Sequence, residues 1–190
     1  MGTLIVDFIT SLDGFGAAEG WPGWWGMESD EYLGWLAQQP EHTILMGATT
    51  YRVMSAFAAS GEEGVDALNP VLKVVFSSTL TEPLEWANTR LIAGDAVEAV
   101  RTMKEDDASE LRTLGSVSLC RSLIAAGVVD RFRVVVFPVV TGATGQDRIY
   151  DGWPDVALQL VASRTFDDRL QLLEYVPDVL SGPPGERPGG

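Results

Sequence analysis

The stretch Leu45-Met46-Gly47-Ala48-Thr49-Thr50 lies where a short apolar run, a predicted strand over residues 43–46, gives way to a helix that Gly47 opens. A second such junction is Leu114-Gly115-Ser116-Val117-Ser118-Leu119, and a third strand ends in Phe76-Ser77-Ser78-Thr79. Glycine lets a backbone approach a ligand closely, hydroxyl groups donate to phosphate oxygens, and free helix N–H groups favour an anion. Each junction alone is more often an ordinary helix cap. Three of them at one sheet edge predict a site for a phosphate-bearing cofactor.

Outward from these junctions, strand-like and helix-like segments alternate along the chain. Strands are predicted over residues 3–9, 43–46, 71–76, 89–93, 111–114 and 132–140, and helices begin near Ser29, Gly47, Asp95 and Ser116. Two long β-rich runs, residues 156–166 and 169–176, predict a closing hairpin. The sequence therefore predicts an α/β fold with three α/β/α layers, a mainly parallel mixed sheet and a C-terminal antiparallel hairpin. Ligands on such sheets bind beyond the carboxyl ends of the strands.

The domain organisation is simple. No internal repeat or linker divides the chain, so residues 1–176 are predicted to form one domain. Residues 177–190 are rich in proline and glycine and are predicted to form a flexible tail. Residues 14–27, rich in glycine and tryptophan, are interpreted as a loop over a pocket.

The net charge and the composition of the chain restrict the classes of partner that it can bind. The 190 residues include 13 basic and 27 acidic ones, a formal net charge of −14. This argues against nucleic acid and anionic membranes, because both bind basic surfaces. A single cysteine, Cys120, and a single histidine, His42, leave no internal disulfide framework and no His/Cys metal site. No apolar run approaches the length of a membrane span and no signal segment is recognised, so a cytoplasmic protein is expected.

Several common motifs are absent from the sequence. No G-x-G-x-x-G follows the first strand, and neither G-x-x-x-x-G-K-[ST] nor G-x-S-x-G occurs. The sequence therefore does not support a standard Rossmann site, a P-loop or a serine hydrolase. His42 is interpreted as a surface or structural residue.

Six short motifs, in this order and spacing, carry a resemblance that covers about residues 3–175. They are Ser11-Leu12-Asp13-Gly14, Met46-Gly47-Ala48-Thr49-Thr50-Tyr51, Ser77-Ser78-Thr79-Leu80, Gly115-Ser116-Val117-Ser118-Leu119, Ala126-Gly127-Val128-Val129-Asp130 and Pro138-Val139-Val140-Thr141-Gly142. Together they resemble the dihydrofolate-reductase-like superfamily, in the branch that includes the C-terminal reductase domain of riboflavin biosynthesis. The resemblance implies a reductase that uses NADPH, with NADH as the other possible cofactor.

The resemblance also assigns cofactor contacts. Gly47, Thr49 and Thr50 would lie at the adenine-side phosphates, and Ser77 and Ser78 near the adenosine ribose. The pyrophosphate would be lined by the segment from Gly115 through Ser116, Val117 and Ser118 to Leu119. Folate reductases usually carry a basic residue after the first of these glycines, where this chain has Ala48. Arg52 and Lys73 are the candidates to replace it.

The substrate side has several candidates. Folate reductases hold the pterin with a carboxylate on the first helix, and Asp30 or Glu31 falls closest to that place. The alternative is that both acids complement the helix N-terminus. Asp13 is either a pocket acid or a turn residue. A stacking wall for a flat ring is predicted from Trp21, Trp24, Trp25 and Trp35, with core packing or a dimer contact as the alternative. The resemblance implies that the segment containing Tyr150 borders the active site, and the alternative for Tyr150 is an ordinary loop.

Two functions follow. The first is hydride transfer from NADPH to a flat nitrogen heterocycle, either pterin- or folate-like or resembling 5-amino-6-(5-phosphoribosylamino)uracil, as in riboflavin biosynthesis. The second is a non-catalytic NADP(H)-binding or scaffold protein of the same fold. The resemblance and the β-rich C-terminal third, whose apolar edge would otherwise be a liability, predict a homodimer.

Overall fold

The computed structural model describes residues 1–21, 23, 25–27, 29–62 and 64–185. Its strands are β1 (Leu4–Ser11), β2 (Phe15–Ala18), β3 (His42–Gly47), β4 (Lys73–Phe76), β5 (Thr89–Ile92), β6 (Glu110–Thr113), β7 (Arg131–Phe137), β8 (Gly145–Arg148), β9 (Val156–Phe166) and β10 (Leu170–Val179). Its α-helices are α1 (Asp30–Leu36), α2 (Ala48–Ser60), α3 (Ala96–Asp106) and α4 (Val117–Ala125). A short 3₁₀ turn covers Asp66–Leu68. No helix in these described ranges is long and apolar enough to cross a membrane.

Eight strands form one sheet in the order β5-β4-β3-β6-β1-β7-β10-β9. The six strands from β5 to β7 are parallel, whereas β10 is antiparallel to both β7 and β9. The predicted mixed, mainly parallel sheet with a C-terminal hairpin is therefore confirmed. Because the parallel strands share one direction, the ends of β3, β4 and β6 meet at the same edge.

The loop interpretation of residues 14–27 is only partly correct. Within it, β2 pairs antiparallel with β8 as a separate two-stranded sheet. Four-residue strands of small or polar residues, such as Gly145–Arg148, carry little alternation of apolar and polar side chains, so the pattern of residues there does not predict a strand. This small sheet joins the segments that follow β1 and β7.

The end of the sheet also differs from the expectation. β10 ends at Val179 rather than at Val176, and Pro177 and Asp178 lie opposite Leu158 and Ala157 of β9. Residues 177–179 therefore belong to the sheet and not to the predicted tail. Proline is tolerated at strand ends and edges, and here the long partner strand holds the segment in register.

Helices cover both faces of the sheet, as the alternation of side chains along each strand requires. On one face, Leu4, Val6 and Phe8 of β1 pack with the helices α3 and α4. On the opposite face there are two separate apolar clusters, one under α1 around Val135 and Phe137, and one under α2 around Ile44 and Met46. The middle strands β1 and β6 lie between these two clusters.

Candidate functional site

The junctions after β3 and β6 are in direct contact. The Ser116 hydroxyl oxygen accepts a hydrogen bond from the Gly47 N–H at 2.9 Å and lies 2.8 Å from the Thr50 hydroxyl. Gly115 has a φ of +52° and Ser116 a φ of +67°, so the backbone turns sharply before α4. A Cβ on Gly115 would lie 3.2 Å from the Thr50 hydroxyl oxygen. We call residues 47–50 and 115–118 together the cradle.

The two helices that begin at the cradle have open N-termini. Neither Gly47, which precedes α2, nor Ser116, which precedes α4, caps its helix with a side chain, and neither first turn carries an acid. By contrast, Ser29 caps α1 and Asp95 caps α3, and both of those first turns contain acidic residues. Uncapped N–H groups at the positive end of a helix suit an anion. The cradle is thus the place in the described structure where two such ends meet.

The third predicted junction lies at the same edge, but its first hydroxyl group already binds neighbouring backbone N–H groups. Ser77 follows β4, and its hydroxyl oxygen accepts hydrogen bonds from the Thr79 and Leu80 N–H groups, each at 3.1 Å. Ser78 is exposed. Leu119, the last residue of the predicted pyrophosphate segment, is buried in the core beneath α4, so its side chain does not line the cradle.

Lys73 cannot supply the cation that Ala48 lacks. Its side chain is fully buried, and its ammonium donates to the carbonyl oxygens of Leu68 at 2.7 Å and Val71 at 2.6 Å. The ammonium also lies 4.6 Å from the centre of the Trp86 ring. The suggestion that Lys73 contacts a cofactor is therefore wrong, whereas Arg52 is exposed on α2.

Asp13 joins the loops that follow β1 and β7. Its Oδ1 accepts a hydrogen bond from the Ser11 hydroxyl at 2.6 Å and from the Thr141 N–H at 3.1 Å. The Ser11 hydrogen bond has the largest effect and lowers the pKa of Asp13; burial opposes it, and the Thr141 bond lowers the pKa further. These contacts favour the interpretation of Asp13 as a turn residue at the carboxyl edge of the sheet.

The two acids of α1 do not form a partly buried carboxylate. Both are exposed, and Glu31 accepts hydrogen bonds from the Asp167 N–H at 2.9 Å and from Arg164 at 3.0 Å. These contacts, the Asp167 bond first, lower the pKa of Glu31. Glu31 therefore anchors α1 to the β9–β10 turn, and Asp30 lies in the first turn of the helix. This geometry favours the alternative in which both acids complement the helix N-terminus.

The aromatic substrate candidates lie on two sides of the sheet. Trp25 packs 5.3 Å from Phe137, and Trp35 packs in the same cluster under α1. Tyr150 instead contacts Phe132, with ring centres 6.3 Å apart, on the side of α3 and α4. The substrate candidate Tyr150 therefore lies across the sheet from Trp25 and Trp35, and Trp24 lies outside the described residues.

A charged pair that the sequence reasoning missed lies on the sheet itself. Asp7 of β1 and Arg133 of β7 are opposite each other in the register and form an ion pair at 2.5 Å. Both side chains face α1, by alternation with Val6 and Phe132 on the other side. The signal in the sequence was an acid between the apolar residues Val6 and Phe8 and a base between the apolar residues Phe132 and Val134.

Comparison with known proteins gives a consistent result. Residues 2–172 match the family model of the RibD C-terminal domain. The chain is 28% identical over 182 residues to the Bacillus subtilis (strain 168) protein YyaP, itself uncharacterised, covering 90% of this chain and 93% of that one.

Two solved structures are similar in fold. A putative riboflavin biosynthesis protein from Shewanella sp. PV-4 superposes with a TM-score of 0.73 at 19% identity, over 93% of this chain and 99% of that one. Dihydrofolate reductase from Enterococcus faecalis, complexed with NADP(H) and RAB-propyl, gives a TM-score of 0.60 at 14% identity, over 93% and 97%. At these identities the likeness establishes the fold alone.

Proposed function

The chain belongs to the RibD C-terminal domain family, and from that premise we propose that it is an NADPH-dependent reductase. It transfers a hydride to a flat nitrogen heterocycle, either pterin- or folate-like or resembling 5-amino-6-(5-phosphoribosylamino)uracil. The cofactor supplies the hydride chemistry when bound, and the protein supplies binding and orientation.

One observation carries this proposal: two uncapped helix N-termini meet at the cradle, at the carboxyl edge of the sheet. A chain with a net charge of −14 repels a dinucleotide at long range, so any phosphate must be held by local donors. The N–H groups of α2 and α4 are such donors. Gly47, Thr49 and Thr50 on one helix and the segment 115–118 on the other would hold the phosphates, with Ser77 and Ser78 beside the ribose.

The preference for NADPH over NADH depends on a cation for the 2′-phosphate. Ala48 offers none, and Lys73 is occupied by carbonyl groups. Arg52 is the remaining candidate, because it is exposed on α2 close to the cradle. A guanidinium is well suited to bind a phosphate with two parallel hydrogen bonds.

The first experiment measures cofactor binding and turnover separately. We would titrate the purified protein with NADPH and with NADH, following the nicotinamide fluorescence, and expect saturable binding that is tighter for NADPH. We would then follow oxidation of NADPH in the presence of dihydrofolate and of a 5-amino-6-substituted uracil. Absence of saturable binding to either nucleotide would overturn the proposal.

A second candidate is an NADP(H)-binding protein without turnover. It is favoured by the exposure of Asp30 and Glu31 and by the structural hydrogen bonds of Asp13, which leave none of these acids as a buried proton donor. Saturable NADPH binding without oxidation across the ring panel would support this candidate over the reductase.

We also propose that the protein is a homodimer. β9 is an edge strand of 11 residues, and its exposed side chains include Leu158, Leu160 and Val161. Long apolar edges pair with other chains unless they are protected. Light scattering should give twice the mass of one chain, and Leu160→Lys should shift the mass towards the monomer. A monomeric wild-type protein at micromolar concentration would contradict this.

A further inference from the structure

The Asp7–Arg133 pair is buried unequally. The Arg133 side chain is 3% exposed, whereas 18% of the Asp7 side chain remains exposed. Arg133 bonds to Oδ2 of Asp7. Among the described residues, Oδ1 of Asp7 has no hydrogen-bond donor. One carboxylate oxygen is thus fixed by the protein, and the other is available to a ligand.

Helix α1 and the turn that follows it hold Arg133 in place. Its guanidinium lies 4.9 Å from the centre of the Trp35 ring, and Nη1 lies 3.3 Å from Oε1 of Gln39. Trp35 and Gln39 are four residues apart, which is the spacing that places two side chains on one side of a helical segment. The Nε atom of Arg133 is buried and has no partner in the described residues. Trp35 and Gln39 therefore orient Arg133 towards Asp7, while the Nε donor of Arg133 stays without a partner among the described residues.

The position of Asp7 connects it to the cradle edge. Asp7, Ile9 and Ser11 alternate onto the same face of β1, which ends at Ser11. Four residues of strand place Asp7 about 13 Å before that end. Asp7 also lies between the apolar clusters beneath α1 and α2. On this face Ile9 separates Asp7 from the carboxyl edge, so a ring that reaches Oδ1 of Asp7 from that edge must pass Ile9.

A contribution to folding stability does not by itself explain why Asp7 and Arg133 form an ion pair here. A buried ion pair is often no better for stability than two well-packed apolar residues, because desolvation offsets the attraction between the charges. Ile5 and Ile9 on either side of Asp7, and Val135 beside Arg133, show that apolar residues pack at neighbouring positions of the same face. The pair therefore calls for a chemical explanation.

We propose that Asp7 determines substrate specificity by accepting a hydrogen bond from an N–H group on the edge of the substrate ring, with Arg133 as its positioning residue. The inference rests on the proposed reductase function and narrows its substrate class. A ring with an amino group at that edge can donate to Oδ1. A ring with a carbonyl group at the same place brings its oxygen up to Oδ1 of Asp7. Both oxygens are acceptors, so neither receives a hydrogen bond. The protein therefore favours amino-substituted, pterin-like rings over uracil-like rings.

The test compares two probes of the same ring size with different groups at this edge: 2,4-diaminopyrimidine carries two amino groups, and uracil carries two carbonyl groups on either side of a ring N–H. Calorimetry would measure both affinities with the wild-type protein, with and without saturating NADPH. Asp7→Asn keeps the shape of the side chain while supplying both a donor and an acceptor. Because an unpaired Arg133 could unfold the protein, a double variant, Asp7→Leu with Arg133→Met, removes both charges together. Asp178→Asn, an exposed acid near the end of β10, is the matched control.

We expect the wild type and Asp178→Asn to bind 2,4-diaminopyrimidine at least about tenfold more tightly than uracil, a difference of about 1.4 kcal/mol. In Asp7→Asn and in the double variant, this preference should fall to within about threefold, while NADPH affinity and the melting temperature show that the fold persists. Equal binding of the two probes by the wild type, no binding of either, or an unchanged preference in folded variants would each overturn the inference. Loss of NADPH binding in the wild type would overturn the proposed function instead, and the ring preference would still be measured without cofactor.

Discussion

Substituting alanine for Gly115 should weaken NADPH binding, and Gly127→Ala provides a matched control. Both glycines have positive φ values, +52° for Gly115 and +63° for Gly127, and they lie at opposite ends of α4. A Cβ at Gly127 would meet no atom within 4 Å, whereas a Cβ at Gly115 would lie 3.2 Å from the Thr50 hydroxyl oxygen. The two variants therefore share a backbone penalty, and only one disturbs the cradle.

The magnitudes follow from that difference. A left-handed backbone conformation costs an alanine about 1–2 kcal/mol, so both variants should lose that much stability. For a chain of this size each kcal/mol lowers the melting temperature by about 2–4 °C. At Gly115, Thr50 must also move by a few tenths of an ångström. Thr50 is held by the Ser116 hydroxyl, which in turn binds the Gly47 N–H. We expect the NADPH dissociation constant to rise by about tenfold or more, or about 1.4 kcal/mol.

Differential scanning fluorimetry and nicotinamide fluorescence titration, on the same preparations, measure the two effects. The reasoning requires similar melting temperatures and different affinities for the two variants. A folded Gly115→Ala protein that binds NADPH as the wild type does would remove the cradle as the phosphate site. Equal loss of affinity in Gly127→Ala would show that the effect is one of stability alone.

Three further predictions concern charged and buried groups. Arg52→Gln should weaken NADPH binding by about tenfold while leaving NADH binding nearly unchanged, because only NADPH carries the 2′-phosphate; equal losses in parallel titrations would contradict this. Burial lowers the pKa of Lys73 to about 8 from its usual 10.5, so between these values the unfolded chain binds more protons than the folded one. The unfolding free energy of the wild type, relative to that of Lys73→Met, should therefore rise from about pH 8 to about pH 10.5 in urea titrations, and a flat difference would refute it. Burial raises the pKa of the Cys120 thiol to about 12, so Ellman's reagent at about pH 8 should label only unfolded protein, and rapid labelling of the native protein would contradict this.

The sequence predicted the position of the cradle well, because the local residue types at the strand ends and the direction of the strands point to the same edge. Gly47 and Gly115 each follow a strand and open a helix, and because all the strands concerned are parallel, their ends had to share one edge. The shared edge follows from the strand direction alone, whatever side chains lie at the strand ends. The Ser116 bond to Gly47 could not be predicted, because it depends on the order of β3 and β6 in the sheet and on the positive φ of Ser116.

The substrate side was predicted less well, because side-chain direction decides it. Spacing placed Glu31 on α1 but could not show that it points to the β9–β10 turn. The resemblance placed Tyr150 at the border of the active site but could not show that the sheet separates it from Trp25 and Trp35. Asp7 was overlooked because a charge inside a short apolar run resembles the polar position of an ordinary half-buried strand. Only the register with Arg133 shows that both charges face a helix-covered side.

Charged side chains explain why the apolar interior on the side of α1 and α2 is divided. On the side of α3 and α4, strands β1, β4 and β7 contribute to one continuous cluster, whereas the side of α1 and α2 has two. On the divided side, Asp7 of β1, Arg112 of β6 and Arg133 of β7 lie on the sheet between the clusters beneath α1 and α2. Arg112 and Arg133 are buried, and together with Asp7 they form a polar strip that keeps the two clusters apart. The Asp7 and Arg133 double variant should thus make the part of that strip nearest α1 apolar. A gain in melting temperature accompanied by a loss of ring preference would show that the fold maintains this polar strip at the expense of its own stability.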